Sequence, residues 1–315
     1  MKAAQIDQFG GPGVLTVSEV DRPAPGEGEV LVQVAASSVN GHDVIIRSGG
    51  LKMVSGRKFP LGTGLDFAGL VTATGPGVED YRAGDRVWGT VHPRQRHVTG
   101  AAAEYVTVPV DRVAPAPAGT SPTDAASLVV AGTTALIALR DSTHLASGER
   151  VLVRGAAGGV GTAAVQLAHA MGAHVTALAR DRYAQALTGL GADRVLGYDA
   201  TQEQTGSFDV IVDMAGSELE CYRRRLTKHG RMVTVGLSAS ALAAIGLSAV
   251  HGSRRIRAFS ANPDSALLED LAGYVTSGAL RPVVSGVFPL ADIAAAHQAF
   301  SRGGTLGKHV VAVSA

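Results

Sequence analysis

Val151-Leu-Val-Arg-Gly-Ala-Ala-Gly-Gly-Val-Gly161, continued by Thr162-Ala-Ala-Val-Gln-Leu-Ala168, decides the fold of this 315-residue chain. A short β-branched run enters a glycine-rich turn and leaves it as a segment of helical pattern. That context matters, because a bare glycine spacing is weak in a chain with 40 glycines, where a structural turn is the plain alternative. Set against the G-x-G-x-x-G fingerprint, Ala156, Gly158 and Gly161 take the three glycine positions. Across Ala157, Gly158, Gly159 and Val160 the backbone can approach a pyrophosphate closely, since Gly158 and Gly159 lack a β-carbon. The unpaired N–H groups of the helix start point the same way. Gly161 lets the helix pack against the strand.

A second strand, predicted at His174 to Ala179, ends near the roughly 20-residue offset at which a dinucleotide-binding fold places its ribose-recognising residue. There the sequence reads Leu178-Ala-Arg-Asp-Arg-Tyr183. An NAD site would end the strand on a carboxylate, whereas here Ala179 holds that place and Arg180 follows. A 2′-phosphate would meet a cation, so NADPH is the expected cofactor. In the competing reading Arg180 and Arg182 are solvated and Asp181 serves the ribose.

The pattern on either side differs. Up to about residue 120, short β runs such as Glu29 to Ala35, Ala68 to Ala73 and Ala103 to Val108 alternate with Gly and Pro turns. Ala114 to Pro122 reads as a linker. Beyond it, strand signals recur at Arg150 to Arg154, Asp193 to Leu196, Phe208 to Asp213, Arg231 to Val235 and Arg255 to Phe259, separated by helical stretches. Alternation of this kind predicts βαβ units in a doubly wound parallel sheet. The expected division is 1–120 and 121–260, with 261–315 assigned to the first domain.

Composition sets the class. At 46% hydrophobic and 17% charged, the chain can bury enough apolar surface to offset chain entropy. The formal charge of +1 gives no global field toward nucleic acid or an anionic membrane. The single cysteine, Cys221, excludes an intramolecular disulfide and any zinc site built from several thiolates of one chain. The N-terminal stretch lacks the apolar run of a signal peptide, and the apolar Leu237 to Val250 falls short of a bilayer span. A cytoplasmic location and no membrane partner are expected.

Taken in order, Asn40-Gly-His-Asp43, Arg47-Ser-Gly, Gly62-Thr-Gly-Leu-Asp-Phe-Ala-Gly69, Gly84-Asp-Arg-Val87, Ala103-Glu-Tyr-Val106, Gly132-Thr-Thr-Ala135 and the Ala-Ala-Gly-Gly-Val-Gly turn span nearly the whole chain. This succession resembles the zinc-free quinone oxidoreductase branch of the medium-chain dehydrogenase/reductase superfamily. The resemblance implies an α/β protein with a GroES-like β-rich catalytic domain, completed by the C-terminal tail, and a Rossmann domain. It implies an active site in the cleft and a homodimer joined through about Arg255 to Phe259. Zinc-containing relatives carry a cysteine at Asn40, a histidine at Leu65 and a further cysteine within Val130 to Thr134, and none of these ligands is present. Without a Lewis acid, reduction of a conjugated acceptor is the easier chemistry.

The same resemblance implies cofactor contacts at Thr134, Tyr198, Gly236, Leu237 and Lys308. Asn40 is the first candidate for holding a substrate carbonyl or the cofactor ribose, against a role as a turn cap. His42 is a candidate proton donor, against a packing role, and Asp43 reads as a helix-start residue. Gly49 to Phe59 lacks the tyrosine donor of many enoyl reductases, which leaves water, Lys52 or His42 to protonate an enolate. The basic run His92 to His97 reads as a solvated loop. The expected activity is NADPH-dependent reduction of small conjugated carbonyls or quinones. The alternatives are a dedicated enoyl or enone reductase of a biosynthetic pathway and a non-catalytic NADPH-binding protein.

Overall fold

The structure, a computed structural model, describes residues 1–50, 58–91, 99–236, 239–249, 254–259 and 261–314. Its strands, in chain order, are β1 (Lys2–Ile6), β2 (Leu15–Glu19), β3 (Glu29–Ser38), β4 (Leu61–Gly62), β5 (Asp66–Thr74), β6 (Arg86–Thr90), β7 (Tyr105–Pro109), β8 (Val113–Pro115), β9 (Arg150–Arg154), β10 (His174–Leu178), β11 (Arg194–Leu196), β12 (Phe208–Asp213), β13 (Leu226–Thr234), β14 (Ile256–Ala258), β15 (Val284–Pro289) and β16 (Lys308–Ala312). Two compact units result. One comprises Met1–Val130, Pro263–Thr276 and Pro282–Ala315; the other comprises Ala131–Asn262 and Ser277–Arg281.

The first unit is built on antiparallel pairing. Val30, Val32 and Val34 of β3 are buried against Phe67 and Val71 of β5, Val87 of β6 and Val106 of β7, the period-2 pattern of a sheet with one apolar face. β16 pairs antiparallel with β3, Val310 lying opposite Ser38, and parallel with β15. Two residues outward, the same register sets Lys308 against Asn40. The tail therefore joins this unit by strand pairing.

The second unit is a six-stranded parallel sheet in the order β11-β10-β9-β12-β13-β14. Val151 to Val153 and Val210 to Val212 are buried as unbroken runs, because helices cover both faces of a parallel sheet. Strand order reverses between β9 and β12, the switch point outside whose carboxyl ends open α/β sheets bind ligands.

The division between units falls at Val130, inside the helix Pro122–Leu136, ten residues beyond the boundary expected at 120. The Pro-rich stretch read as a linker is ordered structure: Ala114 and Pro115 end β8, and the Ser121 hydroxyl caps the helix by accepting the Asp124 N–H at 3.1 Å. Pro122 opens that helix, where its missing N–H is harmless. The helical stretch Pro122–Ser142 is long and apolar enough to cross a membrane, but 72% of its apolar window is buried inside the protein, as in a core helix.

One core position is polar without reward. His309 is buried on β16 edge-on to Phe288, with ring centroids 5.8 Å apart, and neither ring nitrogen has a hydrogen-bond partner among the described residues. Burial, then the neighbouring Lys308 charge, lowers its pKa below the ordinary 6.5. A depressed folded value means the unfolded chain takes up a proton first, so this stability is complete above 6.5 and lost as pH falls through the folded value. His309→Leu is expected to raise stability at pH 8 by about 1–2 kcal/mol, with the gain growing below pH 6.5. Urea unfolding at both pH values checks it, and a loss of stability at pH 8 would refute the packing argument.

Candidate functional site

The glycine-rich turn leaves β9 at the switch point. The Gly158 N–H donates to the Gly155 carbonyl at 3.1 Å, and the Gly158 carbonyl accepts the Thr162 N–H at 2.8 Å, opening the helix Gly159–Ala170. Gly161 is required sterically, since a β-carbon there would lie 2.2 Å from the Gly155 oxygen and 2.7 Å from Ala156 Cα. Gly158 differs: it is exposed, and a β-carbon would meet only the Gly155 oxygen at 3.5 Å, so the outer side of the turn stays open. An open backbone cradle at the start of a 12-residue helix fits a pyrophosphate.

Neighbouring strand ends bring further groups to this edge. Arg154 on β9 pairs with Leu178 on β10 and Asp213 on β12, and Leu178 pairs with Leu196 on β11. Arg180 and Tyr198 thus stand two residues beyond adjacent strand ends. Ala179 is buried while Arg180 is exposed, heading the short turn Asp181–Tyr183. Tyr198 is 46% exposed; burial raises its hydroxyl pKa, and the charges of Arg154 and Arg180 work against that rise.

Arg154 is a participant that the sequence reading passed over. It is 3% exposed, and its guanidinium donates to Asp213 Oδ1 at 2.8 Å, to Ser217 through its carbonyl and hydroxyl, and to Glu218 Oε2 at 3.2 Å. The Tyr222 ring stacks 4.2 Å from its Cζ. A charge that ends an apolar strand directly before the glycine turn was the available signal. Asp213 also accepts the Gly216 N–H at 2.7 Å and the Thr234 hydroxyl at 2.8 Å, tying the ends of β12 and β13 together. Gly216 and Gly236 touch backbone to backbone there, since a β-carbon on Gly236 would lie 2.3 Å from Gly216 Cα.

In the β-rich unit a second polar cluster forms where β3, β5 and β16 converge. Lys308 Nζ donates to the Val39 carbonyl at 2.9 Å and to Asn40 Oδ1 at 2.6 Å, and lies 3.9 Å from Asp66 Oδ2. Asn40 Nδ2 donates to the Ser38 carbonyl at 3.2 Å and to Asp66 Oδ2 at 3.1 Å. The amide orientation is forced: an ammonium can only donate, and a carboxylate and a carbonyl accept. Asp66 also takes the Ser38 N–H at 2.8 Å and its hydroxyl at 2.7 Å. Burial pushes the Asp66 pKa up, opposed first by Lys308, and pushes the Lys308 pKa down, opposed first by Asp66.

Residues 26–118 match the alcohol dehydrogenase GroES-like domain family, and residues 190–311 match the zinc-binding dehydrogenase family. Over 330 residues the chain is 33% identical to the quinone oxidoreductase of Sus scrofa, covering 99% of this chain and 97% of that protein. The chain belongs to the quinone oxidoreductase branch of the medium-chain dehydrogenase/reductase superfamily. A quinone oxidoreductase of Coxiella burnetii superposes with a TM-score of 0.90 at 30% identity, covering 100% of this chain and 99% of that one. A mycobacterial protein solved with NADPH superposes at 0.84 with 27% identity, covering 99% and 100%. As a member of this branch the protein is an oxidoreductase with a GroES-like domain and a Rossmann domain.

Against the expectations for this quinone oxidoreductase-like chain, the placements divide. Ala157, Gly158, Gly159, Val160 and Gly161 form the turn, with Arg180 and Tyr198 at adjacent strand ends. Thr134 is buried in the helix Pro122–Leu136, and Gly236 packs on Gly216. Leu237, Lys52 and the run His92 to His97 lie outside the described residues. Asn40, expected to position a substrate carbonyl or the cofactor ribose, donates both amide hydrogens inside the β-rich unit, to Ser38 and Asp66. The Lys308 ammonium, expected as a cofactor contact, donates to the Val39 carbonyl and to Asn40 Oδ1. Asp43 is the helix-start residue, its carboxylate accepting the N–H of Asn40 at 3.0 Å and of Gly64 at 3.2 Å. His42 is half-buried in the same first turn.

Proposed function

We propose that this oxidoreductase uses NADPH to reduce quinones or α,β-unsaturated carbonyls by direct hydride transfer, without a metal. The observation that carries the reading is the open Gly158 turn at the switch point, with Ala179 where an NAD site would place a carboxylate and the exposed cation Arg180 directly after it. Bound NADPH supplies the hydride at its nicotinamide ring. The chain's part is to hold the pyrophosphate on the helix N–H groups and to receive the 2′-phosphate beside Arg180 and Tyr198. The proton that completes the reduction comes from water, Lys52 or His42, since both amide hydrogens of Asn40 are held by Ser38 and Asp66. The metal-free part rests on donor chemistry: Asn40 Oδ1 already bonds an ammonium, whose charge would repel a metal ion there.

Oxidation of NADPH and NADH is followed with a simple quinone, an enone and an enoyl thioester, after dialysis against a chelator. Turnover with NADPH on the quinone or the enone is expected. Arg180→Ala is expected to reduce the NADPH over NADH preference about tenfold, the scale of one charge-assisted hydrogen bond. No binding heat with either cofactor, or turnover restored only by zinc, would refute the reading; an unchanged preference would remove Arg180 from it.

A further inference from the structure

Arg154 is over-furnished for a structural cation. Of its five N–H groups, those on Nη1 go to Asp213 Oδ1 and the Ser217 carbonyl, and those on Nη2 to the Ser217 hydroxyl and Glu218 Oε2; Nε has no hydrogen-bond partner among the described residues. Two carboxylates pair with it, and the buried one, Asp213, is fixed from its other side by Gly216 and Thr234. A second guanidinium, Arg225, buried and bonded to the Thr205 hydroxyl and the Ala200 carbonyl, faces the same Tyr222 ring at 4.7 Å. Two cations thus share one aromatic ring, with neutral acceptors on Arg225.

Glu218 is unlike the other partners of Arg154. Its side chain is 70% exposed, although the arginine it contacts is 3% exposed. Its backbone is left-handed at φ +52, a conformation that disfavours a residue bearing a β-carbon. A solvated carboxylate at the end of a 3.2 Å contact is the one anion here that can leave without unfolding the strand ends. Arg154 lies in register with Leu178, and Leu178 with Leu196, two residues before Arg180 and Tyr198, and the charges of both arginines reach the Tyr198 phenol.

We propose that Glu218 is a displaceable counter-ion: it neutralises Arg154 in the free protein, and an oxygen of the 2′-phosphate of NADPH takes its place. The inference rests on the NADPH reading above and makes Arg154, with Arg180, a second determinant of phosphate recognition. No bond forms or breaks covalently; one anion exchanges for another on a buried guanidinium. Glu218 then lowers affinity for the phosphorylated cofactor selectively, because NADH, whose pyrophosphate sits on the glycine turn, carries no 2′-phosphate to displace it.

Titration calorimetry of wild type and Glu218→Gln with NADPH, NADH, adenosine 2′,5′-bisphosphate and 5′-AMP tests this. Glu218→Gln is expected to tighten NADPH and the bisphosphate roughly three- to tenfold, and to leave NADH and 5′-AMP within about twofold. The substitution is on an exposed side chain, and the fragments report binding independently of turnover. Equal shifts for all four ligands, no shift, or weaker NADPH binding overturns the proposal while leaving the NADPH reading intact. Failure of wild type to bind either dinucleotide overturns both.

Discussion

Lys308→Met is expected to destabilise the protein by about 3–5 kcal/mol at pH 7, because it leaves Asp66 buried without its cation. Asp66 keeps its bonds from Ser38 and Asn40, so its loss is electrostatic, the removal of its cation. Burial already raises the Asp66 pKa above the ordinary 3.8, and Lys308 is the first group opposing that rise. Without Lys308 the folded value climbs further. Between the unfolded and folded values the native state then binds more protons than the unfolded chain, so stability falls as pH rises, by up to about 1.4 kcal/mol per pH unit. The deficit of the variant should therefore shrink as pH falls from 7 toward 4. Adding Asp66→Asn to Lys308→Met removes the unpaired charge and should recover at least about 2 kcal/mol. Urea unfolding of the three proteins across this range measures it, and a deficit independent of pH would show that lost packing, not the stranded carboxylate, sets the effect.

Gly161→Ala is expected to be the most disruptive single methyl in the nucleotide-binding unit, costing about 3 kcal/mol or more. All three nearest atoms to the added carbon are backbone, at 2.2, 2.7 and 2.8 Å, so no side chain can swing aside. The start of the helix must move off the turn, and the N–H groups move with it. Gly158→Ala provides the contrast. Its φ of −71 is open to any residue, and the only neighbour stands at 3.5 Å. Stability should change by less than about 1 kcal/mol. NADPH affinity should nonetheless fall, because the methyl projects into the open side of the cradle. Thermal unfolding together with calorimetry separates the two, and a Gly161→Ala protein as stable as wild type would sink the packing account of that glycine.

What the sequence determined by itself is local. The run Val151 to Val153, the turn that follows and the helix beyond are written in contiguous residues, because a strand buried on both faces reads as an apolar run and a tight turn needs glycine wherever it is. The later strands were legible for the same reason, and a doubly wound sheet follows from their alternation with helices. Arg180 was legible as a residue just beyond a strand end, since that distance is a matter of counting, whereas Tyr198 rested on the resemblance and only strand order sets it beside the same edge. Tertiary structure decided the partners of the polar side chains. Lys308 reaches Asn40 across 268 residues because β16 pairs with β3 in one register, and Arg154 reaches Asp213 across 59 because β12 lies beside β9. Neither register has a periodic signature in the chain. A lysine before the last strand and an arginine before a glycine turn read alike as free cations until strand order brings a carboxylate or an amide against them. The physical reason is that hydrophobic periodicity encodes which face is buried, whereas the partner of a buried charge is fixed only when two distant strands become neighbours.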